Sequence, residues 1–378
     1  MTDNVTGIIE TAAAFTRDRV APEAAGWERA RRMPLETFRD AAALGLCGLM
    51  VPAAHGGAGC GMSTAARVFE EIAAGCMAFA FSLEVQNNFA RSVASFGTAE
   101  QIARHLPPLL SGARIGAFLL TEPGVGSDAA AITTRATRDG DGWVIDGEKA
   151  WVTNGTVAET LFVFAQTDRD AGWRGIAAFV IDATADGVTR GAAYSLLGGH
   201  AMGVGGFTFS AVRVAGDALL IGPGEAFKEA LHGIDVARVG VGALCCGMMR
   251  SGLATALDYA ARRQAFGRPT IEFQGLQWML ADVATDLEAA RLLTREAALA
   301  VDAGGGTVAA AHAKKFATRA ALKGLADCMQ AMGAAGLKDD TPLARHLACA
   351  KTAQFLDGTT EIQNVVIARD LMRRGGGT

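Results

Sequence analysis

Between residues 117 and 225 the chain carries four short runs rich in Val, Phe and Ile: GWVIDGEKAWVTNG, TLFVFAQTD, GIAAFVIDA and GGFTFSAVRV. Gly and Asp separate them, and RDGDGW at the front of the first is a hairpin signal. This reads as a small antiparallel β domain. On either side the apolar period changes from two to that of a helix. Before it, PLETFRDAAALGLCGLMV and AARVFEEIAAGCMAFAF space their apolar residues as helices. After it, Leu276, Met279, Leu280, Val283 and Leu287 fall at i, i+3, i+4, i+7 and i+11 on one face of a long helix. DAGGGT (302–307) breaks that helix, and AAAHAKKFATRAALKGLADCMQAM forms another. A chain of 378 residues exceeds what one core usually serves. The expected organisation is an N-terminal helical domain (1–116), a middle antiparallel β domain (117–225) and a C-terminal helical bundle (226–378). The closing GGGT is expected to be disordered.

Half of the residues are hydrophobic and 20% are charged, which excludes a disordered chain. A net charge of -4 gives no reason to expect nucleic-acid binding. No apolar run reads as long enough for a membrane span, and MTDNVTGIIETAAAF lacks the basic region of a signal peptide. Seven cysteines without a CxxC do not make a disulfide framework, and a reducing, cytoplasmic setting is expected. Six scattered histidines without HxxxH or HExxH predict no metal. VPAAHGGAGCG is glycine-rich, but no strand precedes it and its spacing is not GxGxxG.

Two stretches carry chemistry. AFLLTEPGVGSDAA (117–130) leads from an apolar run into a loop whose glycines permit close approach of a ligand to the backbone. It is read equally well as an ordinary connection. In GEKAWVTNG (147–155) Trp151 and Thr153 stand two residues apart on a strand and so share a face, suited to a flat heterocycle. Core packing of Trp151 is the competing reading.

TEPGVGSD, KAWVTNG, RRQAFGRPTIEFQ and FLDGTTEIQNVVIARDL occur in that order, and together they resemble the signature segments of the acyl-CoA dehydrogenase family of flavoproteins. The likeness spans essentially the whole chain. It implies FAD bound between the β domain and the C-terminal four-helix bundle. Leu120 and Thr121 would line the flavin edge, Gly126 and Ser127 the cofactor loop, Trp151 one side of the ring, and Thr153 its N5 region. A neighbouring subunit would add Arg263, Phe266 and Gln274, then Gln330 and Gly333, although MGAAG replaces the family's usual pair of glycines. Thr359 and Glu361 would also touch FAD. The substrate would be an acyl-CoA thioester, or the same pantetheine arm on an acyl-carrier protein, met by Ser127, Asp235, Arg238 and Gly358. The resemblance further implies a homotetramer and electron transfer to an electron-transferring flavoprotein.

Most relatives carry Glu as the base before GT; here Asp357 stands there. A minority place Glu on an earlier helix, at a position matched by Ala237, which cannot serve. Asp357 is therefore read as the base that removes the Cα proton while hydride leaves Cβ for flavin N5. Capping of the next helix stays open as its alternative role. Aspartate is one methylene shorter than glutamate, about 1.5 Å of reach. Some relatives acting on alicyclic thioesters, and the related nitroalkane oxidases, also use Asp. The oxidases add an arginine seven residues on, where this chain has Asn364. In LLGGHAMGVGGFTF, His200 and Met202 replace the Arg and Ser that relatives usually carry, and His200 is either a pocket residue or a structural one. The expected activity is α,β-dehydrogenation of a short, branched or cyclic acyl-CoA. A flavin oxidase and a non-catalytic assembly protein are the alternatives.

Overall fold

The computed structural model describes residues 2–375. Of the GGGT tail, Gly375 closes the last helix rather than being disordered, and 376–378 lie outside the described residues. Helices α1 (Thr2–Phe15) and α2 (Ala21–Ala30) are joined by a π-helical turn, Thr16–Val20. Then come α3 (Leu35–Ala43), α4 (Met62–Phe96) and α5 (Ala99–Leu110). The π turn packs against Gly75 of α4, where a Cβ would lie 2.8 Å from Thr16 Cγ2. One residue later α4 kinks at Cys76 (φ −156°), and His346 donates from Nε2 to the nearby Ala74 carbonyl at 3.3 Å. Burial, with Arg345 nearby, holds His346 down at about 3, so it stays neutral there. The N-terminus of α4 is capped from far along the chain: Asp302 accepts from the amides of Met62 and Ser63.

The middle segment forms β1 (Gly116–Leu119), β2 (Arg135–Asp139), β3 (Gly142–Val152), β4 (Thr160–Gln166), β5 (Ile176–Asp182), β6 (Val188–Arg190), β7 (Gly205–Val214) and β8 (Leu219–Ile221). They make one eight-stranded sheet in the order β6-β7-β3-β2-β4-β5-β8, with β1 also on β4. The sheet is mixed rather than purely antiparallel, because β1 and β2 both run parallel to β4. The hairpin at RDGDGW is present as β2–β3. Every residue of β4 is buried. Phe162 and Phe164 face α4 and α5, with Phe162 stacked on Phe89 at 5.0 Å. Leu161, Val163 and Ala165 face the other way, onto the core that holds Trp143 and Phe207.

Helix α6 (Ala226–Arg262) follows, then a small hairpin of β9 (Gln264–Ala265) and β10 (Arg268–Pro269), α7 (Gln274–Asp302), α8 (Thr307–Ala331), α9 (Leu343–Ala353) and α10 (Thr360–Gly375). The stripe Leu276–Leu287 turns inward, with Leu280, Val283 and Leu287 buried. α6 corrects the expectation that no run reaches membrane length: it is long and apolar enough. It is instead the mostly buried centre of the helical part, packed against α4, α7 and α8. A hydrophobic helix covered on all sides in this way is a core helix.

Candidate active site

α9 ends in a turn that carries Asp357 in the left-handed region (φ +50°), a conformation that Asp tolerates better than most residues. The turn is held from two sides. Arg238 of α6 donates from Nε to the Asp357 carbonyl at 3.0 Å, and Lys314 of α8 donates to the carbonyls of Gln354 (3.2 Å) and Gly358 (2.7 Å). Gln363 adds a bond to the Gly358 carbonyl at 2.8 Å. The side chain of Asp357 is left free. Its Oδ2 is shut off from solvent and has no hydrogen-bond partner. Burial raises its pKa to about 6, against the opposing pull of Lys314 and Arg238. Its amide N–H also has no acceptor among the described residues. Helix α10 takes its side-chain cap from Thr359, whose Oγ1 accepts from Ile362 at 3.5 Å, so capping is not the work of Asp357. Glu361 is exposed on the first turn of α10.

Asp235 and Arg238 are both buried and pair at 2.8 Å. Arg238 is committed to the Asp357 turn and Asp235 accepts from Thr307 at the start of α8, so neither extends toward solvent. Ala237 is buried beside them and carries no carboxylate.

The second group lies on the β domain. Leu120 is buried and Thr121 half-buried at the end of β1. Gly126 and Ser127 are exposed in the loop, and their amides have no acceptor among the described residues. A Cβ at Gly126 would meet nothing within 4 Å. Trp151 is 62% exposed and Thr153 is buried. The alternation argument for this pair fails: β3 bulges between Lys149 and Val152, Trp151 has φ +59°, and Thr153 lies past the strand end. The bulge turns the indole outward as an aromatic platform with its edge on Tyr194, ring centroids 4.9 Å apart. Free amides and an open aromatic face fit a flat, anionic dinucleotide. Behind this loop Lys149 and Glu122 form a fully buried pair at 3.0 Å, and Lys149 also donates to the Leu120 carbonyl at 2.9 Å.

The third group lies elsewhere. Arg263 ends α6, about 25 residues beyond Arg238, or about 37 Å along the helix. Phe266, at the tip of the β9–β10 hairpin, is 96% exposed with φ +50°. Gln274 and Gln330 are exposed, as is Gly333. Lys314 acts electrostatically on Cys245 and Leu325 packs on Gly252, so α8 runs the same way as α6. Gln330 and Gly333 therefore sit toward the Arg263 end. These five residues cannot reach the Asp357 site of the same copy.

His200 is not in this pocket. Its Nδ1 meets Glu28 of α2 at 2.7 Å, and Glu28 also accepts from the amides of Gly199 and His200. Met202 is fully buried. The sequence reading missed Lys314, Lys149, Glu122 and Glu84. For Lys314 and Glu84 the one visible signal was a charge inside an otherwise apolar helical run.

Three domain families match in chain order: Acyl-CoA dehydrogenase, N-terminal domain (residues 2–113), middle domain (117–212) and C-terminal domain (224–372). The chain belongs to the acyl-CoA dehydrogenase family. It is 37% identical over 366 residues to the mitochondrial short-chain specific acyl-CoA dehydrogenase of Bos taurus, covering 96% of this chain and 89% of that one. Among solved structures it is similar to butyryl-CoA dehydrogenase from Megasphaera elsdenii (TM-score 0.95, 32% identity, 98% of this chain and 99% of that one). It is also similar to PigA with FAD and proline (TM-score 0.94, 26% identity, 99% of each chain).

Proposed function

We propose that this protein is an FAD-dependent oxidoreductase that dehydrogenates the α,β bond of a short, branched or cyclic acyl-CoA thioester. FAD is its cofactor, and when bound it accepts the hydride leaving Cβ. The observation that carries the reading is the carboxylate of Asp357: its Oδ2 shut off from solvent and unpartnered, and its pKa raised to about 6. Such a group is ionised at neutral pH yet basic enough to take a Cα proton. The free Asp357 amide is placed to donate to the thioester carbonyl as enolate charge develops. Arg238 and Lys314 position the turn and keep the carboxylate ionised. On the β domain, Leu120, Thr121, Gly126, Ser127, Trp151 and Thr153 hold the flavin half of the cofactor. The group around Arg263, Phe266 and Gln330 serves the adenine half of a neighbouring copy's cofactor, which makes the active form an oligomer, a homotetramer in this reading. An electron-transferring flavoprotein takes the electrons.

The test is anaerobic titration of the purified holoenzyme with straight, branched and alicyclic acyl-CoAs, following flavin absorbance. Bleaching by one class is expected, and Asp357→Asn is expected to keep FAD but lose bleaching. Undiminished bleaching in that variant overturns the assignment of the base. The likeness to PigA, whose structure holds FAD and proline, and to AnaB, a prolyl acyl carrier protein oxidase, adds a prolyl thioester on a carrier protein to the panel. Repeating the titration in air separates an oxidase from a dehydrogenase.

A further inference from the structure

Between α4 and α6 runs a strip that the chemistry above does not use. On α6, Gly233, Ala237 and Gly240 recur at i, i+4 and i+7 and so share a face. On α4, Glu84, Asn88 and Arg91 do the same. The two faces oppose each other. A Cβ at Gly240 would lie 1.8 Å from Glu84 Oε1, and the nearest atom to one at Gly233 is Arg91 Nη2 at 3.8 Å. The helices therefore run antiparallel here, with small residues on one and polar residues on the other.

The polar side is unsatisfied. Both carboxyl oxygens of Glu84, Oδ1 of Asn88 and Nε of Arg91 are buried without a partner. Their neighbours show the contrast. Gln86 bonds Leu109, Arg114 and Gly116, while Asn87 bonds Leu46, Leu49 and Leu83. Those two amides tie the fold together, whereas Glu84, with no exposed surface, ties nothing. Arg91 is anchored by Glu229 at 2.7 Å. Glu84 lies within electrostatic reach of Asp357: burial, and then that charge, push it well above the usual carboxylate range. Both influences favour its protonated form, in which a carboxyl can give one hydrogen bond and accept another. A carboxyl group stranded in this way is costly unless a ligand completes it.

We propose that Glu84, with Asn88 one turn further along α4, binds a hydroxyl group on the acyl chain of the substrate, beyond Cβ. This rests on the dehydrogenase reading, because Asp357 fixes where Cα lies. The Glu84 carboxyl donates to the hydroxyl oxygen. The hydroxyl hydrogen goes to the other Glu84 oxygen or to Asn88 Oδ1. An alkyl chain of the same length leaves these atoms without partners, so the strip selects against it.

The experiment compares butyryl-CoA with 4-hydroxybutyryl-CoA, and valeryl-CoA with 5-hydroxyvaleryl-CoA, by anaerobic flavin bleaching under kcat/KM conditions. Wild type, Glu84→Gln and Glu84→Leu holoenzymes are used, each also melted without substrate. Wild type is expected to favour one hydroxyacyl thioester over its alkyl partner. Glu84→Gln keeps that preference, and Glu84→Leu shifts the ratio toward the alkyl chain by about tenfold or more, as loss of a buried hydrogen-bond partner implies. Glu84→Leu is also expected to melt no lower than wild type. A ratio unchanged within about threefold overturns the proposal, as does a Glu84→Leu protein that melts lower and sheds flavin, since Glu84 would then be structural. If no thioester bleaches the wild type, the dehydrogenase reading is what fails. The melting comparison then still decides whether Glu84 serves the fold or a ligand.

Discussion

Lys149→Met strands a carboxylate, and the structure says by how much and at which pH. Lys149 and Glu122 are completely enclosed, 3.0 Å apart. Burial pulls Lys149 from 10.5 down to about 8, even with Glu122 beside it. Burial also acts to raise Glu122, but Lys149 and the bonds from Thr133 and Thr134 outweigh it and bring Glu122 from 4.5 down to about 2. The depressed Glu122 adds stability above its unfolded value, lost only as pH falls through about 2. The depressed Lys149 subtracts a similar amount at every pH below about 8. The intact pair is thus close to neutral for stability. Removing the lysine leaves Glu122 buried with no counter-charge, held only by the Thr133 and Thr134 donors, and the cost is capped by its taking up a proton. At pH 7 that costs about 3.4 kcal/mol for a group with an ordinary value of 4.5, at 1.36 kcal/mol per pH unit. At pH 5 the same step costs about 0.7 kcal/mol. Lys149→Met should therefore lose up to about 3–4 kcal/mol by denaturant unfolding at pH 7 and no more than about 1 kcal/mol at pH 5. Adding Glu122→Gln should recover most of the loss at pH 7. A loss of equal size at both pH values, or no recovery in the double variant, would refute the electrostatic account and leave only lost packing.

The rate of flavin bleaching should fall as pH drops through about 6, where Asp357 protonates; a profile flat from pH 5 to 8 counts against it as the base. Lys314→Met removes a cation that favours the ionised base, so the acidic limb should move up by about one pH unit, read in the same assay. Gly240→Ala places a Cβ on the Glu84 carboxyl and should lower thioester affinity more than flavin content, measured by titration and absorbance. Arg263→Ala should weaken FAD retention on gel filtration and shift the oligomer; full flavin occupancy would remove it from the shared site.

The helix–strand–helix order was legible because long periodic runs such as Leu276–Leu287 and short continuous apolar, Phe- and Val-rich runs such as β4 leave little choice of element. Pairing was not. That β1 joins β4 in parallel depends on contacts between segments far apart in the chain, which periodicity does not encode. The Trp151–Thr153 face failed because alternation assumes an unbroken strand, and a left-handed residue breaks it. Asp357 was found by its motif, but what makes it reactive, an oxygen sealed off between α6 and α8, arises only when Arg238 and Lys314 meet it from other elements. The partners of Lys149 and the isolation of Glu84 are likewise properties of distance in space.

The central position of α6 also has a consequence during synthesis. α4 is already made when α6 leaves the ribosome, but α7 and α8, which cover its other sides, end about 70 residues later. At ~5–20 residues per second that is about 4–14 s in which the one described helix long and apolar enough to cross a membrane is only partly enclosed. For that interval the nascent chain displays the signal by which membrane segments are sorted, so chaperone engagement should peak as α6 emerges and end once α8 docks.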